Sequence, residues 1–315
     1  MSQRQEPPPP PYSDKKTGAP GNSDNVSDDA PPPYHNWQEA VPDTADFPPP
    51  PAISLLYSET GNASEEEAER AHAFCDAYPL WKPYNPSEPI YGFTMRADVQ
   101  PQRPPEFRGS LNGSQLGRWR GRSSPDCPDC VLMSKLPLYY PVRDSPFVTE
   151  RSKTIYFETK IIRLDQRSRA DASVLSIGFL AQPYPTWRSP GWERASIGVF
   201  SDDGCRFTND SFGGKPFTEP FRVGDTVGLG MTFQLPETVH GNPANSTLVP
   251  EVRVFFTRNG RDAGGWDLHE EVDADAGGIH GLEGTFDLYG AIGIFGGVEF
   301  EACFQADGWL WKPGF

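Results

Sequence analysis

The chain has 315 residues, with 43 acidic against 28 basic side chains, 31 glycines, 35 prolines and a formal net charge of −15. So acidic a balance, with no basic cluster, argues against nucleic-acid binding, which needs Lys and Arg to neutralise phosphates. No run approaches the roughly 18–20 apolar residues of a membrane-spanning helix, and no secretory signal is visible at the start. The odd count of five cysteines fits a reducing compartment better than a disulfide framework. The expectation is a soluble cytoplasmic protein.

Residues 1–63 come first and read as a disordered acidic tail. Residues 1–51 hold 14 of the 35 prolines, and residues 1–70 carry 4 basic and 13 acidic side chains. With almost no aliphatic residue before Ile53, the segment cannot bury enough surface to offset chain entropy. It contains Pro9-Pro10-Pro11-Tyr12 and Pro31-Pro32-Pro33-Tyr34, two PPxY motifs. Proline-rich segments prefer polyproline II, so docking into an aromatic groove costs little ordering entropy, and the tyrosine fills a second pocket. Pro9, Pro10, Tyr12, Pro31, Pro32 and Tyr34 are therefore the expected WW-domain contacts. The two motifs lie 22 residues apart, a random-coil reach of roughly 25 Å that can bridge neighbouring WW domains. Lys15 and Lys16 beside the first motif are read as ordinary tail lysines.

Ser64 is expected to cap a short helix. Ser64 with Glu67 fits a capping box, Glu65, Glu66 and Glu67 suit the positive helix end, and Pro79 stops the helix. Ala68, Ala71, Cys75 and Tyr78 fall on one face. Residues 64–147 are expected to form this helix and an ordered extension: 79–150 are expected to be irregular, and aromatics such as Trp81, Tyr84, Tyr91 and Phe93 imply that the segment packs against the domain that follows. Leu136-Pro137-Leu138-Tyr139 looks like an LPxY variant in a packed setting.

Residues 148–315 read as one all-β domain. Strand-like runs are 154–161, 173–181, 196–200, 225–233, 251–257, 288–295 and 298–304, separated by turn residues. Asn259-Gly260 is a tight-turn dipeptide. No helical period appears after residue 150, so the pattern predicts an antiparallel sandwich or barrel. Residues 235–250 and 262–284 are expected to be surface loops.

Several strings in this region resemble the SPRY domain: Ser176-Ile177-Gly178-Phe179, Pro183-Tyr184-Pro185, Pro190-Gly191-Trp192, Ser196-Ile197-Gly198 and Ser201-Asp202-Asp203-Gly204. The match continues with the run from Phe221 to Gly230, with Phe255-Phe256-Thr257-Arg258-Asn259-Gly260, and with Leu288-Tyr289-Gly290-Ala291-Ile292-Gly293. It covers about 148–307 and is nearest to Ran-binding-protein-type SPRY domains, especially fungal endosomal and vacuolar-sorting adaptors of HECT-type ubiquitin ligases. The resemblance implies a bent two-sheet β-sandwich that binds proteins through its loops. It also implies a WW-domain HECT-type ligase as one partner and a protein cargo as another. Those adaptors carry a membrane-spanning segment ahead of the SPRY domain, whereas no such run occurs in this sequence. The expected location is therefore cytoplasmic, peripheral on endosomes through partners.

Loops at one end of a sandwich usually make the binding surface. Tyr184, Trp187, Arg188 and Trp192 lie in a Pro-rich loop of side chains favoured at interface hot spots, and Asp202, Asp203 and Asn259 lie in turns that could join them. Trp192 also belongs to the domain's recurrent pattern, which favours a core role, and Asp203-Gly204 and Asn259-Gly260 are turn chemistry first. Enzyme signatures fail. Cys127-Pro128-Asp129-Cys130 lacks the second pair of a four-ligand zinc site, Asp273 and Asp275 lack calcium-loop spacing, and no HExxH, GxSxG or P-loop occurs. No cofactor, metal or catalytic residue is expected. The sequence thus predicts a non-catalytic substrate adaptor; a SPRY scaffold subunit with a passive tail is the alternative.

Overall fold

The computed structural model describes residues 64–115, 117–165, 172–211, 214–236, 249–270 and 278–312. Helices α1 (Glu65–Ala77) and α2 (Glu88–Met95) precede strands β1 (Pro101–Gln102), β2 (Gly109–Gln115), β3 (Arg118–Ser123) and β4 (Cys130–Ser134). Single helical turns α3 (Pro141–Asp144) and α4 (Pro146–Thr149) then lead into strand and turn. The remaining strands are β5 (Lys153–Leu164), β6 (Val174–Leu180), β7 (Ser196–Phe200), β8 (Cys205–Thr208), β9 (Lys215–Pro216), β10 (Thr226–Gln234), β11 (Glu251–Arg258), β12 (Arg261–Asp267), β13 (Tyr289–Phe295) and β14 (Val298–Cys303).

They form two seven-stranded sheets, ordered β1-β4-β13-β6-β7-β8-β9 (sheet I) and β12-β11-β10-β5-β14-β3-β2 (sheet II). The strand pairs are antiparallel, as the sequence leads one to expect. Alternation builds the shared core. Val227, Leu229, Met231 and Phe233 of β10 and Val252, Val254 and Phe256 of β11 point inward and are fully buried. Phe157 of β5 meets Phe179 of β6 edge-on at 5.6 Å and stacks on Phe304 at 4.6 Å. These offset and edge-to-face rings tie one sheet to the other.

Two expectations are corrected. Residues 79–150 are not irregular, because they supply α2 and four strands that extend both sheets. In β3 the alternation was present but carried by unusual residues: Trp119, Gly121 and Ser123 are buried, and Arg118, Arg120 and Arg122 are exposed. Residues 262–284 are not all loop, since β12 pairs with β11 through the Asn259-Gly260 turn. Both turn residues have positive φ, 54° and 75°, as a tight hairpin requires. The Asp262-Ala263-Gly264-Gly265 stretch has little β propensity; an edge position and the buried Trp266 hold it in the sheet.

The helix start follows the capping box: Ser64 Oγ accepts from Glu67 N at 3.2 Å and donates to Glu67 Oε2 at 3.0 Å. Of the apolar face read from sequence only Ala71 is buried, while Tyr78 is exposed. The helix docks instead through Arg70, Phe74 and its own carbonyls, described below.

The outer face of sheet I is covered, which explains why β6, β7 and most of β13 are buried on both sides, and the outer face of sheet II is covered in part. On sheet II the segment 306–312 lies over β5 and β11. Tyr156 meets Trp309 edge-on at 4.7 Å, and Phe255 meets Trp311 at 5.0 Å. Glu158 is pinned beneath the segment: its carboxylate accepts from Leu310 N at 2.7 Å, Trp311 N at 2.8 Å and the Tyr156 hydroxyl at 2.9 Å.

Candidate functional site

Sheet I is covered by the Pro-rich loop 183–194, and sequence explains how closely it can lie. Gly178 of β6 pairs with Gly198 of β7, and Gly293 of β13 lies in the same sheet. A Cβ at Gly178 or Gly293 would stand 2.8 or 2.9 Å from the Pro190 ring, and one at Gly198 would stand 2.1 Å from Pro190 O. The three glycines make a flat floor on which the proline rests.

Within the loop the polar groups are satisfied by one another. Tyr184 is buried, and its hydroxyl donates to Ser189 O at 2.6 Å and accepts from Glu193 N at 3.3 Å. Ser196 Oγ accepts from Gly191 N at 2.8 Å and donates to Glu193 O at 2.6 Å. Arg188 is 1% exposed; its Nε donates to Glu193 Oε1 at 2.8 Å and its guanidinium lies 4.5 Å over Trp192. Trp192 in turn stacks on Phe200 at 5.3 Å. Burial pushes the Glu193 carboxyl up, against the pull of Arg188. Asp129, fully buried on the other side, is pushed well up by burial despite the charge of Arg188. One of its oxygens accepts from Ser189 Oγ at 3.4 Å and the other has no partner. A buried Arg–Glu pair is costly to break by removing one partner, so this loop is a platform braced from within.

Helix α1 lies across that platform. Trp187 Nε1 donates to Glu67 O at 3.3 Å, Phe74 meets the indole edge-on at 5.7 Å, and the Arg70 guanidinium sits 4.0 Å over it. Arg194 Nε donates to Cys75 O at 3.3 Å and its guanidinium reaches Tyr78 O. His72 Nε2 lies 3.6 Å from Glu193 Oε2. The outward side of α1 is left acidic, with Glu65, Glu66, Glu69 and Asp76 exposed.

The structure therefore brings Tyr184, Trp187, Arg188 and Trp192 together, but three of them face inward. Only Trp187 is half-exposed, and α1 leans on it. Asp202 and Asp203 lie in the β7–β8 turn, where Asp203 Oδ1 accepts from Cys205 N at 2.8 Å. Asn259 lies on the other sheet and serves its hairpin, accepting from Thr226 N and donating to Asp225 Oδ1, both at 2.9 Å. Leu138 and Tyr139 of the LPxY variant are buried. The PPxY residues Pro9, Pro10, Tyr12, Pro31, Pro32 and Tyr34, together with Asp273 and Asp275, lie outside the described residues.

One feature of the surface escaped the sequence reading. Trp81 and Tyr84 belong to an extension that packs against the domain, yet their own side chains, with that of Tyr78, are 58%, 48% and 56% exposed. Their backbone is nonetheless fixed: Trp81 N donates to Gln182 O at 2.8 Å, and Tyr84 N to Asp287 Oδ2 at 2.9 Å. Exposed aromatics on a fixed backbone are what interface hot spots use. Three aromatics interleaved with Pro79 and Pro83 were the available signal. Among the described residues no three His, Cys, Asp or Glu side chains converge as a metal site would require.

No family model matches the chain. A SPRY domain-containing protein of Schizosaccharomyces pombe is 31% identical over 133 residues, covering 42% of this chain and 26% of that protein. The chain carries a SPRY domain. Proteins named ssh4 from Sclerotinia sclerotiorum and Aspergillus clavatus are 26% and 24% identical over 182 and 203 residues, or 58% and 63% of this chain. The chain spans 26% and 32% of their lengths. A crystal structure of a human SPRY domain is similar at a TM-score of 0.40 and 20% identity, covering 63% of this chain and 96% of that one. The glycines of the SPRY strings, Gly178, Gly198 and Gly293, are the floor under Pro190. A SPRY domain is a protein-interaction module. No helix among the described residues is long and apolar enough to cross a membrane.

Proposed function

We propose that this chain is a non-catalytic adaptor whose SPRY domain holds a protein cargo while its PPxY motifs hold a WW-domain HECT-type ubiquitin ligase. What carries the reading is the pairing, in one chain, of a SPRY domain with Pro9-Pro10-Pro11-Tyr12 and Pro31-Pro32-Pro33-Tyr34. The ligase performs the chemistry; the adaptor raises the local concentration of cargo beside it, and two motifs on one tether add avidity without new contacts. Cargo meets the end of the domain formed by loop 183–194, α1 and the aromatics Tyr78, Trp81 and Tyr84. The adaptor works in endosomal or vacuolar sorting and reaches membranes through its partners.

The experiment is co-purification of the full chain with WW-domain ligases, comparing wild type with Tyr12→Ala/Tyr34→Ala. The double variant is expected to lose the ligase and to keep its thermal transition and its cargo. Retention of the ligase by the double variant sinks the adaptor reading and leaves the scaffold reading in its place.

A further inference from the structure

The Cys127-Pro128-Asp129-Cys130 turn carries chemistry that an adaptor does not use. All five cysteines are free thiols, and the Cys127 and Cys130 Sγ atoms are 4.0 Å apart. The pair is buried, but the turn directly above it is not, since Pro125 and Asp126 are exposed. Arg108 N donates to Cys127 Sγ at 3.4 Å, and the Arg108 guanidinium is held beside the turn by Asp126 at 2.8 Å. Contact with the Cys130 thiol, helped by the Arg108 amide and charge against the effect of burial, pulls Cys127 down to about 7. The same contact pushes Cys130 up. Cys127, the more readily ionised of the two, is thus the attacking sulfur, and Cys130, 4.0 Å away, is the thiol that can resolve its oxidised form.

The turn is also tied to the interaction surface. Val131 N, one residue past Cys130, donates to Thr186 O at 2.9 Å. Asp129, between the two cysteines, receives Ser189 Oγ and faces Arg188. Closing the two sulfurs from 4.0 Å to the roughly 2.05 Å of a disulfide acts on a four-residue turn whose Asp129, and whose next residue Val131, are bonded to the loop that seats α1.

We propose that Cys127 and Cys130 form a peroxide-sensitive dithiol, and that closing its disulfide shifts loop 183–194 and loosens α1 from Trp187. The chemistry balances. The Cys127 thiolate attacks one peroxide oxygen, breaking the O–O bond, and becomes a sulfenic acid while hydroxide takes up the thiol's proton and leaves as water. Cys130 sulfur then attacks the sulfenic sulfur and a second water departs. Two thiols lose two electrons and two protons, and hydrogen peroxide is reduced to two waters.

The test treats the full chain with hydrogen peroxide, unfolds it in alkylating reagent and reads each cysteine by mass spectrometry. The peptide holding Cys127 and Cys130 is expected to lose two hydrogens and to take no alkyl group, with both thiols restored by dithiothreitol. Cys75, Cys205 and Cys303 should stay alkylatable at the same dose. In the oxidised protein, amides of residues 65–77 should exchange with deuterium about fivefold faster or more, as a docked element does when its support moves. In Cys130→Ser the sulfenic acid on Cys127 should persist and be trapped by dimedone. Failure of the wild-type pair to oxidise, or oxidation with all five cysteines alike, overturns the proposal. So does a disulfide that leaves exchange in 65–77 unchanged.

Discussion

Replacing Trp187 with alanine tests whether α1 is an element held on by its contacts with the loop. The helix has 13 residues, a length at which isolated helices are marginal in water, so docking supplies its order. The indole gives it an edge-on contact with Phe74 at 5.7 Å, a guanidinium at 4.0 Å over the ring and a hydrogen bond to Glu67 O at 3.3 Å. Typical values are about 0.5–1.5 kcal/mol for an aromatic pair, about 0.5–1 for an exposed cation–π contact and about 0.5–1.5 for a neutral hydrogen bond. Allowing for overlap between neighbouring contacts, the loss is about 2 kcal/mol, which is roughly a 30-fold change in the docking equilibrium. The Arg194 bonds to Cys75 O and Tyr78 O and the His72–Glu193 pair remain, so the helix loosens without detaching altogether. Hydrogen exchange read by mass spectrometry should show amides in 68–77 exchanging about 30-fold faster, with β5 and β10 unchanged. Unchanged protection in 68–77 refutes the reasoning. A uniform rise across the sandwich refutes it as well, because α1 would then belong to the cooperative core.

Two further predictions concern Glu158, which is buried, and Asp287, which is half-buried. Glu158→Ala removes the acceptor for Leu310 N and Trp311 N; at about 1.5–3 kcal/mol for each bond to a charged group, segment 306–312 should come off β5. The expected signs are faster proteolysis at Lys312 and a red shift of the tryptophan emission, and an unaltered cleavage rate would contradict them. Asp287 is pushed up to about 6 by burial, against the amide of Tyr84. Its folded pKa lies above the unfolded value, so its favourable contribution is complete below about 4 and is lost as pH rises through about 6. Asp287→Asn, which keeps an acceptor for Tyr84 N, should therefore raise stability at pH 7.5 by about 1 kcal/mol after allowing for solvent screening and change little at pH 4. Equal effects in melts at the two pH values would exclude this origin.

Where strand residues were β-branched or aromatic, the fold was legible: the runs at 154–161, 196–200 and 251–257 lie within one residue of observed strands at most of their ends. Strand β3 was hidden because two of its three inward positions are filled by Gly121 and Ser123, which do not advertise a strand. At the candidate site, sequence grouped Tyr184, Trp187, Arg188 and Trp192 in one loop but did not show which way they face. Tyr184, Arg188 and Trp192 have the chemistry of hot spots, yet the glycine floor draws the loop so close to sheet I that these side chains turn inward. That closeness depends on three glycines from three strands meeting, a tertiary fact no single window contains. The exposure of Trp81 and Tyr84 was missed for the same reason: it follows from where Gln182 and Asp287 anchor the backbone.

The way the chain closes its sheets also sets the order in which it can fold. β4 joins sheet I only through β1 and β13, and β3 joins sheet II through β2 and β14. Ser123 of β3 donates to Gly296 O, 173 positions later. On the ribosome, residues 101–134 are made early and must wait, with open strand edges, until 289–303 emerge. Such long-range pairing is slow and exposes edges that other chains can add to. Truncation before β13 should thus yield an aggregating fragment rather than a smaller domain.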